Sequence, residues 1–276
     1  MLSESERKAF GAFEKRGWDN AADPYHRHFG VLTQQSSEAL LDAARVQAGS
    51  KVLDVATGAG YVAASARKRG ADAIGVDFSP IQVELARKTY PGIEFQQGDA
   101  ENLPFQAGRF DAVVMGFCLL HLPDAERAVA EAFRVLKPGG HLAASVWAKP
   151  DPNSAFGIML GAIERHGTKV DLPPGPPFFR FADAEEAGRV LVAAGFVEPR
   201  TQLVPQYWRH ASPDDLFAAF NEGSVRAAAM LRAQPEQARQ MIKSAVREEV
   251  RKLAQDGGVY VIPAPAALSS ARNPLP

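Results

Sequence analysis

The sequence predicts an α/β protein built on a doubly wound parallel sheet. Two observations carry this. Short apolar runs alternate with helix-forming segments between residues 51 and 147, the spacing of strand–helix–strand units covered on both faces. Gly58, Asp77, Asp99 and Phe117 then fall at the carboxyl ends of four of those runs, and open sheets of this kind bind ligands at that edge.

The elements follow in order. Residues 3–17 carry Phe10 and Phe13 among mixed charges, a short amphipathic helix. Trp18–Gly30 is dense in aromatic and basic residues, with Pro24 and Gly30 as punctuation. It reads either as an arm packed by its aromatics or as a lid over a ligand site. A helix is expected over 33–46 and strand one over Lys51–Val55. Tyr61–Arg69 is helical, with Lys68 and Arg69 in its last turn and Gly70 as the stop. Ala73–Asp77 is strand two. Ser79-Pro80 opens the next helix as N-cap and first-turn proline. Ile93–Gln97, Phe110–Phe117 and His141–Trp147 are strands three to five, and a helix runs from Pro123-Asp124 to Leu136. Lys137-Pro138-Gly139-Gly140 stops that helix.

After Pro150 the periodicity breaks, and Pro173–Pro177 is a rigid connector. A helix over Asp183–Ala194 and a strand within Phe196–Trp208 follow. Pro213–Gln255 is helical, broken near Pro235. Val259–Ile262 reads as a late strand, and Pro263–Pro276 as mostly irregular.

Composition bounds the function. The chain has 276 residues, 46% of them hydrophobic, and a net charge of -1. That suits one large domain, or one domain with a cap, and gives no field favouring nucleic acid or anionic membrane. No apolar run approaches the roughly 20 residues of a membrane helix. Residues 1–16 lack the apolar centre of a signal peptide, so a cytoplasmic location is expected. The single cysteine, Cys118, excludes an internal disulfide and a multi-cysteine metal site. It reads as a buried bystander more readily than as a nucleophile.

Gly58-x-Gly60-x-x-Ala63 matches a dinucleotide fingerprint, with Asp77 at the distance of a ribose-binding acid. The glycines permit a tight turn and close approach of a ligand, and the helix behind offers unpaired N–H groups. The ligand is NAD or S-adenosylmethionine. Asp54 lies inside strand one, where a buried acid serves either as an acceptor for the loop or as a partner for an ammonium group.

Asp54-x-x-x-Gly58-x-Gly60, with Asp77 and Asp99, resembles the signature of class I S-adenosylmethionine-dependent methyltransferases. The resemblance runs through Val76–Pro80, Gly98–Phe105, Phe110–Val114, Leu119–Asp124 and Arg134–Gly140. Within that superfamily the chain is most similar to small-molecule enzymes typified by ubiquinone and menaquinone biosynthesis. The resemblance implies a Rossmann-like sheet of seven strands, the last antiparallel, for which Val259–Ile262 is the candidate.

It also implies roles. Ala56, Gly58 and Gly60 line the methionine part of the cofactor, with Asp54 beside them. Asp77 accepts from the ribose hydroxyls, Phe78 lies against adenine, and Gln82 closes over it. Asp99 and the Ala100 N–H meet the adenine, and Phe117 sits by the sulfonium. Tyr25 is a cofactor or lid contact, and His121 is the candidate general base, with a capping or core role as its alternative. His26 and His28 are arm residues that either pack or face the methyl group, and Tyr207 and Arg209 are candidates for the acceptor pocket.

The expected organisation is an arm at 1–48, a cofactor-binding core at 49–210, a helical cap at 211–256 and a final strand and tail at 257–276. The 211–256 segment is a cap over the site, a surface for a homodimer, or a simple packing element. The expected activity is methyl transfer to the oxygen, carbon or nitrogen of a small molecule, without metal, nucleic acid or membrane span. The alternatives are an NAD-dependent oxidoreductase and a cofactor-binding member of the same fold that does not methylate.

Overall fold

The computed structural model describes residues 2–253 and 255–276. Met1 and Ala254, assigned from sequence to the arm and the cap, lie outside them. The chain opens with α1 (Glu4–His28), the short helix α2 (Gly30–Thr33) and α3 (Ser37–Ala43). The alternating unit follows: β1 (Lys51–Val55), α4 (Tyr61–Lys68), β2 (Asp72–Asp77), α5 (Pro80–Thr89), β3 (Glu94–Gln97), β4 (Phe110–Gly116), α6 (Ala125–Val135) and β5 (Leu136–Trp147). Next come α7 (Ala155–His166), α8 (Ala184–Ala193), β6 (Val197–Val204), β7 (Tyr207–His210), α9 (Asp215–Gly223), α10 (Arg226–Arg232) and α11 (Glu236–Arg251). β8 (Gln255–Asp256), β9 (Val259–Pro263) and β10 (Ala266–Arg272) complete it.

The main sheet has seven strands in the order β3-β2-β1-β4-β5-β10-β6. β1 pairs in parallel with β2 and β4, Leu53 standing between Ile74 and Val113. β10 is antiparallel to both neighbours, with Leu268 opposite Ser145 and Gln202. The expected Rossmann-like sheet with an antiparallel last strand is therefore present. Its last strand is not Val259–Ile262, however. That segment joins β7 and β8 in a separate three-stranded sheet, and Ala266–Arg272, expected to be irregular, fills the main sheet. Both faces of β10 are covered, so its small side chains Ala266, Ala267, Ser269 and Ala271 sit buried.

Three further expectations change. Pro24 does not end the first helix but sits inside α1. Its missing N–H falls in the last turn, and packing beyond it holds the helix: Phe29 stacks on Tyr25 at 5.2 Å and meets Trp208 at 4.7 Å. Ser3 and Glu6 form a capping box at the other end. Lys137–Gly140 does follow the end of α6, as expected, but it also forms the irregular start of β5, whose register against β4 shifts between Phe110 and Ala112. A Cβ on Gly140 would lie 2.9 Å from the Lys137 carbonyl oxygen, so only glycine fits that bend. The third change is α7, unread from sequence, capped by Ser154 and packed against α11.

β7, α9–α11, β8 and β9 form one insertion between β6 and β10, and its small sheet pairs Trp208 with Ile262. α9 packs on α1 and on α11, which joins the insertion to the N-terminal arm. Among the described residues no helix is long and apolar enough to cross a membrane.

A chain ending at Pro263 is expected to lose cooperative thermal unfolding in circular dichroism, because β5 and β6 then have no strand between them. A truncated chain that melts at the wild-type temperature contradicts this topology.

Candidate active site

The carboxyl ends of β1, β2, β3 and β4 face a cavity of about 590 Å³ closed on one side by α1. The volume is that of a cofactor-sized site. The turn after β1 is set by two buried carboxylates. Asp54 Oδ2 accepts from Thr57 Oγ1 at 2.7 Å and from the Ala63 N–H at 2.9 Å. It thus supplies the cap that Gly60, lacking a side chain, cannot give α4. Burial raises the Asp54 carboxyl to about 7, opposed by those two donors.

Asp77 ends β2 and binds the same turn from the other side. Its Oδ2 accepts from the Gly58 N–H at 2.9 Å and its Oδ1 from the Ser79 N–H at 3.0 Å. Burial pushes this carboxyl up to about 6 against those two donors. Asp19 of α1, which accepts from Ser79 Oγ at 2.7 Å, adds to the rise.

The backbone at the cavity wall is left-handed at Ala56 (φ 55°), Gly58 (φ 53°) and Phe117 (φ 53°). For Ala56 and Phe117 this conformation costs about 1 kcal/mol or more, the kind of strain that collects at ligand sites. Phe117 is held there by its N–H bond to the Ser145 carbonyl and by Trp147, ring centres 4.2 Å apart.

The structure gathers most of the residues named from sequence. Tyr25, Ala56, Gly58, Asp77, Phe78, Gln82, Asp99, Ala100, Phe117 and His121 all line the cavity. Two do not. Asp54 is turned into the loop, and Gly60 (φ 88°) backs onto Phe95, 2.7 Å from where its Cβ would be. Gly60 serves the packing of the turn, not the cavity wall. His26 bonds to the Tyr61 hydroxyl and His28 to Glu222 at 3.1 Å, and neither lines the cavity. Tyr207 and Arg209 also lie outside it, Arg209 paired with Asp256. Cys118 does line the cavity, but burial pushes its thiol far above the ordinary range.

Sequence reasoning missed Gly11, Glu14, Lys15 and Trp18, which α1 adds to the wall. Their spacing of three, four and seven puts them on one helical face with Tyr25. The expected helix stopped at residue 17, which separated Trp18 and Tyr25 from the rest of that face. Glu101 and Leu122 were likewise unassigned lining residues. Among the described residues no group of three or more His, Cys, Asp or Glu is placed to hold a metal ion.

Among the described residues the wall therefore carries Glu14, Asp77, Asp99 and Glu101 against one lysine, Lys15. Residues 53–144 match the family model of the methyltransferase domain. An uncharacterized protein of Mycobacterium bovis is 30% identical over 226 residues, 76% of this chain and 81% of that one. The chain belongs to the class I S-adenosylmethionine-dependent methyltransferases. A demethylmenaquinone methyltransferase of Thermus thermophilus is 38% identical over 125 residues, 43% of this chain. The match spans only 56% of that relative's length. In fold, this methyltransferase resembles a Haemonchus contortus phosphoethanolamine N-methyltransferase crystallised with S-adenosylhomocysteine (TM-score 0.56, 17% identity, covering 96% of this chain and 60% of that one). Its cofactor is S-adenosylmethionine, and an acidic wall beside a glycine turn suits that sulfonium-bearing ligand.

If Asp77 is the ribose acceptor expected from sequence, its ionised form is the one able to accept from two hydroxyls. Its carboxyl sits at about 6, so the acceptor is intact above that pH and lost below it. Calorimetric affinity for S-adenosylhomocysteine is expected to fall about tenfold per pH unit below 6. Asp77→Ala should bind at least about 100-fold more weakly, from two charged hydrogen bonds of ~1.5 kcal/mol each, and show no such step. Wild-type affinity in the folded variant would refute the placement.

Proposed function

We propose that this methyltransferase acts on a small-molecule acceptor held between α1 and the carboxyl ends of β1, β2, β3 and β4, with His121 as general base. The observation that carries the reading is the charge of the wall. Among the described residues four carboxylates and one lysine line the cavity. Such a wall attracts a sulfonium and an ammonium group and repels a pyrophosphate or a phosphodiester. This weighs against an NAD-dependent oxidoreductase and against nucleic acid as substrate.

When bound, S-adenosylmethionine supplies a methyl group already activated on sulfur and open to in-line displacement. The chain's residues bind and orient. Asp77 takes the ribose hydroxyls on the lone pairs left by its Gly58 and Ser79 donors. Phe78 and Gln82 border the adenine, with Asp99 and the Ala100 N–H at its polar edge. Ala56, Gly58 and Phe117 surround the methionine portion, and Tyr25 covers it. Asp54 acts one step back by shaping the turn. Alignment and exclusion of water then supply much of the acceleration.

The arm and the insertion between β6 and β10 divide the remaining work. α1 closes the cavity and α9 braces α1, so acceptor selection lies with the arm and the 211–256 cap. Demethylmenaquinone, named for several of the relatives, is one acceptor to test here. A lone buried cysteine, with no disulfide to maintain, suits a reducing compartment such as the cytoplasm.

Incubation with methyl-labelled S-adenosylmethionine and a panel of phenols, quinols and amines is expected to move label into a small molecule. Tighter binding of NADH than of S-adenosylhomocysteine would overturn the reading.

A further inference from the structure

α1 buries one carboxylate against the cavity. Glu14 is 4% exposed, although it stands on the arm and not in the core of the sheet. Its Oε2 accepts from Trp18 Nε1 at 3.1 Å and meets His121 Nδ1 at 3.0 Å. A carboxylate only accepts, so the proton of the neutral imidazole belongs on Nδ1 and the lone pair on Nε2. Among the described residues no hydrogen bond reaches Nε2. The ring is boxed edge-on by Trp18 at 4.8 Å and by Phe178 at 6.0 Å. Burying a carboxylate for two N–H donors is costly where an apolar pair would pack as well. The arrangement makes sense if His121 must carry charge at some stage.

We propose that Glu14 is a positioning residue for His121, and that the pair selects acceptors whose nucleophilic oxygen carries an ionisable proton, the phenol and enol class. This rests on the methyl-transfer reading with His121 as base. The aromatic walls Trp18, Tyr25 and Phe117 suit a flat acceptor. The hydroxyl proton of the acceptor passes to His121 Nε2 as its oxygen bonds the methyl carbon. The carbon–sulfur bond breaks with its electron pair left on sulfur, giving a neutral thioether. The imidazolium, stabilised by Glu14, returns its proton to solvent. The other titratable groups lining the cavity are Lys15, Tyr25, Asp77, Asp99, Glu101 and Cys118. None of these is hydrogen-bonded to the His121 ring.

The test is nitrogen-15 NMR of the histidine rings in the intact protein bound to S-adenosylhomocysteine, with His121→Asn to assign the signal. The wild type is expected in the Nδ1–H form. Glu14→Ala, which removes the acceptor at Nδ1, should move the His121 ring toward the Nε2–H tautomer. An Nε2–H ring in the wild type, or an unchanged tautomer in Glu14→Ala, overturns the inference. The wild-type tautomer is decisive even if the variant does not fold. 4-Nitrophenol added to the same complex should show more phenolate absorption with wild type than with either variant. No uptake, or equal phenolate in all three, overturns the acceptor class. A wild-type protein that does not bind S-adenosylhomocysteine sinks the methyl-transfer reading instead, which separates the two failures.

Discussion

The hydrogen bond from the Gly58 N–H to the Asp77 carboxylate is the constraint on which the site depends. It joins the turn after β1 to the end of β2, the two elements between which the proposed nucleoside site lies. Neither partner is free to change. Gly58 is left-handed, and a carboxylate as buried as Asp77 needs donors. The Gly58 and Ser79 N–H groups satisfy two acceptor sites, and the remaining lone pairs are available to a diol. Asp54 does the same work one layer deeper by holding Thr57 and the first turn of α4. Two acids thus fix a loop whose own sequence, Thr57-Gly58-Ala59-Gly60, has little side chain with which to fix itself.

That arrangement sets the electrostatics of the cavity. Acids used to shape the turns leave the wall negative, and α1 adds Glu14 while contributing only Lys15 in return. The local field follows from how the loops are built, and the net charge of -1 for the whole chain gives no hint of it. On the proposed reading, charge then discriminates between ligands that would share the same glycine turn and the same contact to Asp77. The arm matters twice, since α1 walls the cavity and also places Asp19 beside Ser79 and Asp77. The α1–α9 packing extends this coupling to the insertion, so changes in the insertion can reach the site through one helix.

The parallel half of the fold was legible because its strands are dense apolar runs ended by Gly58, Asp77 and Asp99, and its helices carry ordinary caps such as Ser79. The antiparallel strand was not. Val259-Tyr260-Val261-Ile262 has the stronger β-propensity but pairs in the small sheet, while Ala266–Arg272 is built from small residues that fit between β5 and β6. Burial and available space outweighed propensity there. α7 was hidden by Gly157 and Gly161 in its interior. At the site, strand-end residues were readable because position along a strand fixes which edge they reach. Gly60 shares the glycine motif yet serves Phe95, a distinction only three-dimensional packing makes. Glu14 fell inside the helix read over residues 3–17, but its place at the cavity was unreadable while Trp18 and Tyr25 were assigned to a separate segment, because tertiary contacts of Tyr25 and Phe29 carry the helix on through Pro24.

The most direct measurement of the central claim is a crystal structure of the protein with S-adenosylhomocysteine. The ribose hydroxyls are expected within hydrogen-bonding distance of Asp77, with adenine toward Asp99 and Ala100 and the sulfur beside Phe117, the Asp77–Gly58 bond intact. A nucleoside bound away from Asp77, or one that breaks that bond to enter, would contradict the account.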